Sequence, residues 1–391
     1  MKYLLFIFLF AISFEGYCDK FVWNQKANYP SFPRHRTSAL SIGNKGYMGL
    51  GHINSGNISQ AYTDWWEYDP ATNSWTQKAD YPQARFACAA FTVGNKGYVG
   101  GGNEQNFGGR DEFYEFDPIA NTWLAKATFP VAEGGDIGFT INNEGYAATS
   151  SGLYKYSVSM NNWTFINSAS SIPFTSYSAG FVINKKLYYL PDNSTTFYMW
   201  DPITGVVSTK APFIGNGRYA PCSFAVRGQG YVGLGYDYLL GNVAKDFYFY
   251  DPITDVWDTI PKSFPGVRRN YVPSFVIGDN AYFGTGSNGT NLGDFWGYEW
   301  KIAAGINEAN LKHELVISPN PASNYLTIKL DETTTSKEFS FKIMSLDGKI
   351  VLTQSPVNET INITHYAKGV YFAVLTNANQ EIVFSKKIIF N

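Results

Sequence analysis

The chain has 391 residues, a formal net charge of −2, 17% aromatic residues and 16% charged ones. That balance suits a β-rich, well-packed body and argues against a disordered chain, a nucleic-acid binder or a protein drawn to an anionic membrane. Three cysteines and four histidines, with no H-x-x-x-H or C-x-x-C spacing, leave no expected metal site, and no cofactor is expected.

The chain begins with Lys2 followed by an apolar run from Tyr3 to Ile12 and then small and polar residues up to Cys18. A run near ten residues is too short for a bilayer that needs about 20, so residues 1–18 are expected to be a secretory signal peptide cleaved after Cys18. Glu15-Gly16-Tyr17 does not supply the small residues that a lipoprotein signal needs before its cysteine. No membrane-spanning segment is then expected in the mature chain. The remaining Cys88 and Cys222 occupy equivalent first-strand positions in distant repeats, which favours two small buried hydrophobes over a disulfide.

Residues 29–300 hold six copies of one β-rich pattern. A tyrosine recurs at Tyr47, Tyr98, Tyr146, Tyr188, Tyr231 and Tyr282, at intervals of 51, 48, 42, 43 and 51 residues. Glycine precedes it in four copies, Phe stands seven residues before it in five (Leu40 in the first), and a β-branched residue stands five before it in all six. This spacing predicts strand, tight turn, strand, at a period that indicates a β-propeller or another repeat array. Asp-Pro pairs at Asp69, Asp117, Asp201 and Asp251 predict a turn into a last strand, because Asp accepts from the turn amides and Pro presets φ. Six residues after the Asp comes Trp75, Trp123, Val207 or Trp257, while the third copy keeps Trp163 without its Asp-Pro. The sixth copy runs out at Trp300 without such a strand. Phe21–Tyr29, F-V-W-N-Q-K-A-N-Y, parallels Ser74–Tyr81, S-W-T-Q-K-A-D-Y, so Trp23 is expected to complete the sixth unit and close a ring.

Glycine pairs after the tyrosine in four copies (Gly49 and Gly51, Gly100 to Gly102, Gly233 and Gly235, Gly284 and Gly286), with the spaced aromatic and the Trp, resemble the kelch repeat. The resemblance implies an all-β, six-bladed kelch-like β-propeller, with four strands per blade, over residues 19–302. Thirteen residues before the marker tyrosine stand Arg34, Arg85, Glu133, Thr175, Arg218 and Arg269. The four arginines belong to contiguous units once the ring is closed, and the same units carry the longest loops after their second strand. In propeller geometry both features fall on one face. Guanidinium groups bind carboxylates, sulfates or phosphates through paired donors, so Arg34, Arg85, Arg218, Arg269 and Glu133 are candidate ligand contacts for an acidic glycan or a carboxylate-bearing peptide. The alternative is structural, with each arginine bonded to neighbouring carbonyls and Glu133 paired to an arginine.

No residue stands out as catalytic: no G-x-S-x-G elbow occurs, and the two Tyr and two His that kelch-like galactose oxidases place on copper are not evident. The expected role is a non-catalytic binding module for a glycan or protein. The alternative is a carbohydrate-active enzyme, by similarity to six-bladed kelch sialic acid epimerases, with Glu133 as acid–base group among the arginines.

Residues 303–314 read as a linker. Beyond them, S-P-N-P at Ser318, L-D-G-K at Leu346, G-V-Y-F at Gly369 and K-K-I-I at Lys386 are set among alternating strands, which predicts a small immunoglobulin-like β-sandwich over residues 315–391. These motifs, in this order, closely resemble the type A sorting domain of the type IX secretion system of Bacteroidota. The resemblance implies that the translocon is a partner, that the route runs through the periplasm, and that the protein ends secreted or on the outer-membrane surface.

Overall fold

A computed structural model describes residues 20–56, 58–135, 137–260, 262–301, 315–330, 340–345, 350–354, 360–376 and 382–391. The expected signal peptide, the linker and the L-D-G-K turn lie outside the described residues. Two compact units divide the chain, one spanning Phe21–Trp300 and the other holding the C-terminal strands.

The first unit is all β. Its described residues form six four-stranded antiparallel sheets, five of them in simple meander order, three from consecutive strands and two with a short strand pair inserted after the second strand. Sheet one is typical: Ser38–Ile42, Lys45–Gly49, Trp65–Asp69 and Ser74–Lys78. The sixth sheet takes Ser274–Ile277, Asn280–Gly284 and Phe295–Lys301 from the end of the repeats and Lys20–Lys26 from their beginning. The first strands of the six sheets touch one another in a cycle, from Ser38–Ile42 through Ala89–Val93, Ile137–Ile141, Ala179–Ile183 and Cys222–Val226 to Ser274–Ile277 and back to the start. The sheets therefore close a ring.

Alternation along each strand gives each sheet two apolar faces, and the core is divided among the spaces between neighbouring sheets. Phe91, Tyr98, Phe113 and Tyr156 fill one such space, and Met48, Tyr68, Phe275, Tyr282 and Phe295 fill the seam between the last sheet and the first. This packing explains the glycine before the marker tyrosine. A Cβ on Gly46, Gly145 or Gly230 would lie 2.0 Å from the ring of Phe275, Phe91 or Phe181 of the preceding sheet. Outer strands are tied by the repeated tryptophan, whose Nε1 donates across the sheet boundary: Trp75 to Ala27 O at 2.9 Å, Trp123 to Ala79 O at 2.9 Å, Trp257 to Ala211 O at 3.1 Å. Trp23 makes the same bond to Lys262 O at 2.9 Å. Each Asp-Pro turn is held by its aspartate, as in Asp251 Oδ1 accepting from Ile253 N at 2.8 Å.

In the second unit a three-stranded sheet (Leu315–Ser318, Tyr325–Leu330, Thr360–Asn362) and a four-stranded sheet (Ile350–Gln354, Ser340–Ser345, Gly369–Thr376, Ile382–Phe390) share one core containing Ile317, Leu326, Phe341, Ile361, Leu375 and Ile388. The S-P-N-P segment is stitched to the final strand, with Ile389 N donating to Asn320 Oδ1 at 2.9 Å and Ala322 N to Ile389 O at 2.8 Å. No helix among the described residues is long and apolar enough to cross a membrane.

Candidate functional site

The chain enters each first strand from one face of the ring, and that entry segment pairs with the same sheet's long loop. His35 bridges His52, Phe86 bridges Asn103, and Asn270 bridges Ser287. The loop after the second strand of sheet one is itself a hairpin, His52–Ser55 against Ile58–Ala61, and that of sheet five adds Tyr236–Asp237 and Asn242–Val243 to Arg218–Tyr219. Regular structure here exceeds the loops expected from sequence.

Each repeat arginine is turned into its own sheet. Arg34 is fully buried and grips Asp64 with both terminal nitrogens, at 2.5 and 3.2 Å, while donating to the Leu50 carbonyl at 3.0 Å and facing the Tyr62 ring at 3.8 Å. Arg218 holds Asp246 at 2.8 and 2.8 Å, and Arg269 holds Asp294 at 2.6 and 2.7 Å. Arg85 reaches Glu112 at 3.0 Å. Burial pushes the Asp64, Asp246 and Asp294 carboxyls up, but the hydrogen bonds and charge of their arginines outweigh it and hold all three below the usual carboxylate range. An incoming anion would have to displace an acid already paired. Glu133 does not pair with an arginine: its carboxylate accepts from Ser150 Oγ and from Ser151 N at 3.2 Å, closing its own sheet's loop.

Two residues beyond each of those positions the backbone turns left-handed in all six units. Arg36, Ala87, Tyr177, Ala220 and Tyr271 have φ between 51° and 59°, and Gly135 has φ 88°. These residues form a collar round the ring axis, linked by Ala87 N to Arg36 O (2.9 Å), Gly135 N to Ala87 O (3.0 Å), Tyr177 N to Gly135 O (2.7 Å), Ala220 N to Tyr177 O (2.8 Å) and Tyr271 N to Ala220 O (2.9 Å). Non-glycine residues in this region carry strain that the surrounding structure must hold in place. Small side chains occupy three collar positions, whereas Arg36, Tyr177 and Tyr271 project from the other three.

The aromatic part of the mouth is a cluster in which Tyr177, Tyr219 and Tyr271 lie 5.3–5.5 Å apart, ring centre to ring centre. The Arg36 guanidinium sits 3.7 Å over the Tyr271 ring. Unlike the four repeat arginines, Arg36 has no carboxylate within ion-pair distance among the described residues. Its Nη1 donates to His35 Nδ1 at 3.0 Å, which leaves the His35 proton on Nε2, bonded to Asn54 Oδ1 at 2.6 Å. Its Nε is buried without a partner, as is Nδ1 of His52. Burial first, and the Arg36 charge second, push both His35 and His52 down to about 4, so both rings are neutral at pH 7.

Beside Arg36 opens a cavity of about 420 Å³ between the loops of sheets one, five and six, within the range of small-ligand sites. Asn54, Asn242, Asn270 and Asn288 line it with Ser287, Tyr236, Tyr271, His35 and Arg36. Below the collar the ring axis holds a narrower cavity of about 210 Å³, walled by small residues such as Ala87, Cys88, Gly138 and Gly180. Across the mouth stands Asp192, whose carboxyl burial pushes up; its Oδ1 is buried without a partner and its Oδ2 accepts from Tyr238 at 3.4 Å. Cys88 and Cys222 are buried thiols.

Arg36 and Asp192 escaped the sequence reading because neither belongs to the repeated signature. Each takes a position where most other units have a small residue, Asp192 replacing Gly51, Gly102, Gly235 and Gly286.

Residues 316–391 match the family described as secretion system C-terminal sorting domain. Over 86 residues the chain is 35% identical to the N-acetylneuraminate epimerases of Shigella flexneri and Escherichia coli (strain K12), a match covering 22% of this chain. The chain spans only 23% of the length of those relatives in that match. A solved structure titled "Structure of YjhT" superposes with a TM-score of 0.57 at 14% identity, covering 69% of this chain and 96% of that one. This last likeness concerns the fold alone. Residues 21–300 thus share the fold of that solved structure, residues 316–391 carry a secretion-system C-terminal sorting domain, and the chain is exported through the periplasm to the surface or the medium.

Proposed function

We propose that the ring is a six-bladed kelch propeller, spanning residues 19–302 of the mature chain, whose loop-bearing mouth binds a glycan without transforming it. Residues 1–18 serve as its leader, 303–314 as a linker, and 315–391 as an immunoglobulin-like sandwich addressed to the translocon. The observation that carries the binding reading is the 420 Å³ cavity beside Arg36, where four asparagines, a serine and two tyrosines converge. Carboxamides and hydroxyls donate and accept in pairs, which suits the vicinal hydroxyls of a sugar, and tyrosine faces suit its C–H surface. The purified protein is expected to retain a narrow set of saccharides on a glycan array. Tyr236→Ala and Asn288→Ala should each weaken that binding roughly tenfold, about the value of one hydrogen bond or stacking contact. An array with no saccharide retained would overturn the reading.

A second reading is catalytic. It is favoured by the 35% identity to N-acetylneuraminate epimerases and by Asp192, a carboxyl held above its usual range in the same mouth as Arg36. Incubation with N-acetylneuraminate, followed by NMR of its epimers, separates the two: accelerated interconversion that Asp192→Asn abolishes would replace binding by catalysis.

The address assigned to the C-terminal unit is tested in the host. A chain ending at residue 314 is expected to fold its propeller and accumulate in the periplasm, absent from surface and medium. Undiminished export of that truncated chain would contradict the assignment.

A further inference from the structure

We infer that Arg36 is the charge-reading residue of the mouth and that the saccharide bound there carries a carboxylate; the inference rests on the glycan reading above. Four arginines on this face are neutralised by their own acids, and Arg36 is not. Its guanidinium is held from below by Tyr271 at 3.7 Å and from the side by the neutral His35 ring at 3.0 Å, neither of which compensates a full charge. Its Nε is buried and makes no bond, although an unpaired buried donor is costly. Two neutral histidines are kept from taking up protons partly by this same charge. Among the described residues lining this cavity, Arg36 is therefore a cation without an ion-pair partner, held over Tyr271 and opening on the asparagines and tyrosines. A planar carboxylate in the cavity accepts from the terminal N–H groups of the guanidinium, a planar charge-assisted geometry that lysine cannot supply. The Arg36 guanidinium lies along the collar, 3.7 Å over the Tyr271 ring and 5.5 Å from the Tyr177 ring.

The test compares uronate oligosaccharides (glucuronate and galacturonate series) with their neutral glucose and galactose counterparts by calorimetry, using the full mature protein. The native protein should prefer the uronates by about ten- to a hundredfold, the range of one charge-assisted pair. Arg36→Gln should erase that preference, with uronate affinity falling at least about tenfold more than affinity for the neutral sugars, and Arg36→Lys should restore only part of it. Melting curves of the variants must coincide with the native one for the comparison to count; should Arg36→Gln melt lower, Arg36→Lys at native stability supplies the same contrast. Native protein that binds neutral and acidic sugars alike overturns this inference and leaves the glycan reading standing. Protein that binds neither series overturns both.

Discussion

Deleting residues 20–26 is expected to destroy the cooperative melting of the ring. The segment supplies the outermost strand of the sixth sheet, and without it the edge of Phe295–Lys301 is left unpaired, a template for aggregation. It also removes Phe21, stacked 4.5 Å from Tyr298, and Trp23, whose ring lies 4.3 Å from Tyr298 and 5.1 to 5.7 Å from Phe247, Phe264 and Phe283. The milder Trp23→Ala isolates the side chain. Losing a half-buried Trp from such a cluster should cost about 2–4 kcal/mol, at the lower end of the range for large aromatics, which for a domain of this size lowers the melting temperature by roughly 5–15 °C. Calorimetry of both variants checks the claim. Melting unchanged from native would mean that the ring does not depend on its N-terminal strand.

Arg269→Ala should be nearly as damaging. Arg269 is fully buried and Asp294 mostly so, and removing one partner of such a pair leaves the other charge stranded, at about 3–5 kcal/mol. Asp294 also accepts from Trp296 Nε1 at 2.6 Å, so the change would spread to the third strand. Adding Asp294→Ala to Arg269→Ala should cost much less than the two single effects combined, because both remove one interaction. The same variants settle the role of the arginine arc. Lower stability with unchanged saccharide affinity marks the pair as a latch between the strand entry and the loop; native stability with lost affinity would make Arg269 a ligand contact.

The repeat, the strand order and the closing strand were legible because each rests on periodic residues. The marker tyrosines, the Asp-Pro turns and the Trp23–Trp75 parallel all follow local rules that do not depend on loop length. The partner of each repeat arginine is written in the sequence too, but at a varying distance. Asp64, Glu112, Asp246 and Asp294 each stand immediately before the first buried aromatic of a third strand, and units three and four, which lack the arginine, have Gly152 and Thr196 there. Loops of unequal length hide that correspondence until strand register fixes it. The mouth was less legible for a deeper reason. Its defining residues, Arg36, Tyr177, Tyr271 and Asp192, are departures from the repeat, and a site made of departures has no period to find. Only the closure of the ring brings residues so far apart in sequence to one collar, and only the pairing of the other arginines makes Arg36 the exception.

The most direct test of the mouth as a glycan site is a crystal structure of the protein with the saccharide it binds most tightly. The sugar is expected in the cavity bounded by Arg36, Tyr236, Asn242, Asn270 and Asn288, with hydroxyls on the asparagines and a carboxylate on the terminal nitrogens of Arg36. A saccharide seated on the outer strands, on the opposite face of the ring or on residues 315–391, with that cavity empty, would contradict the account.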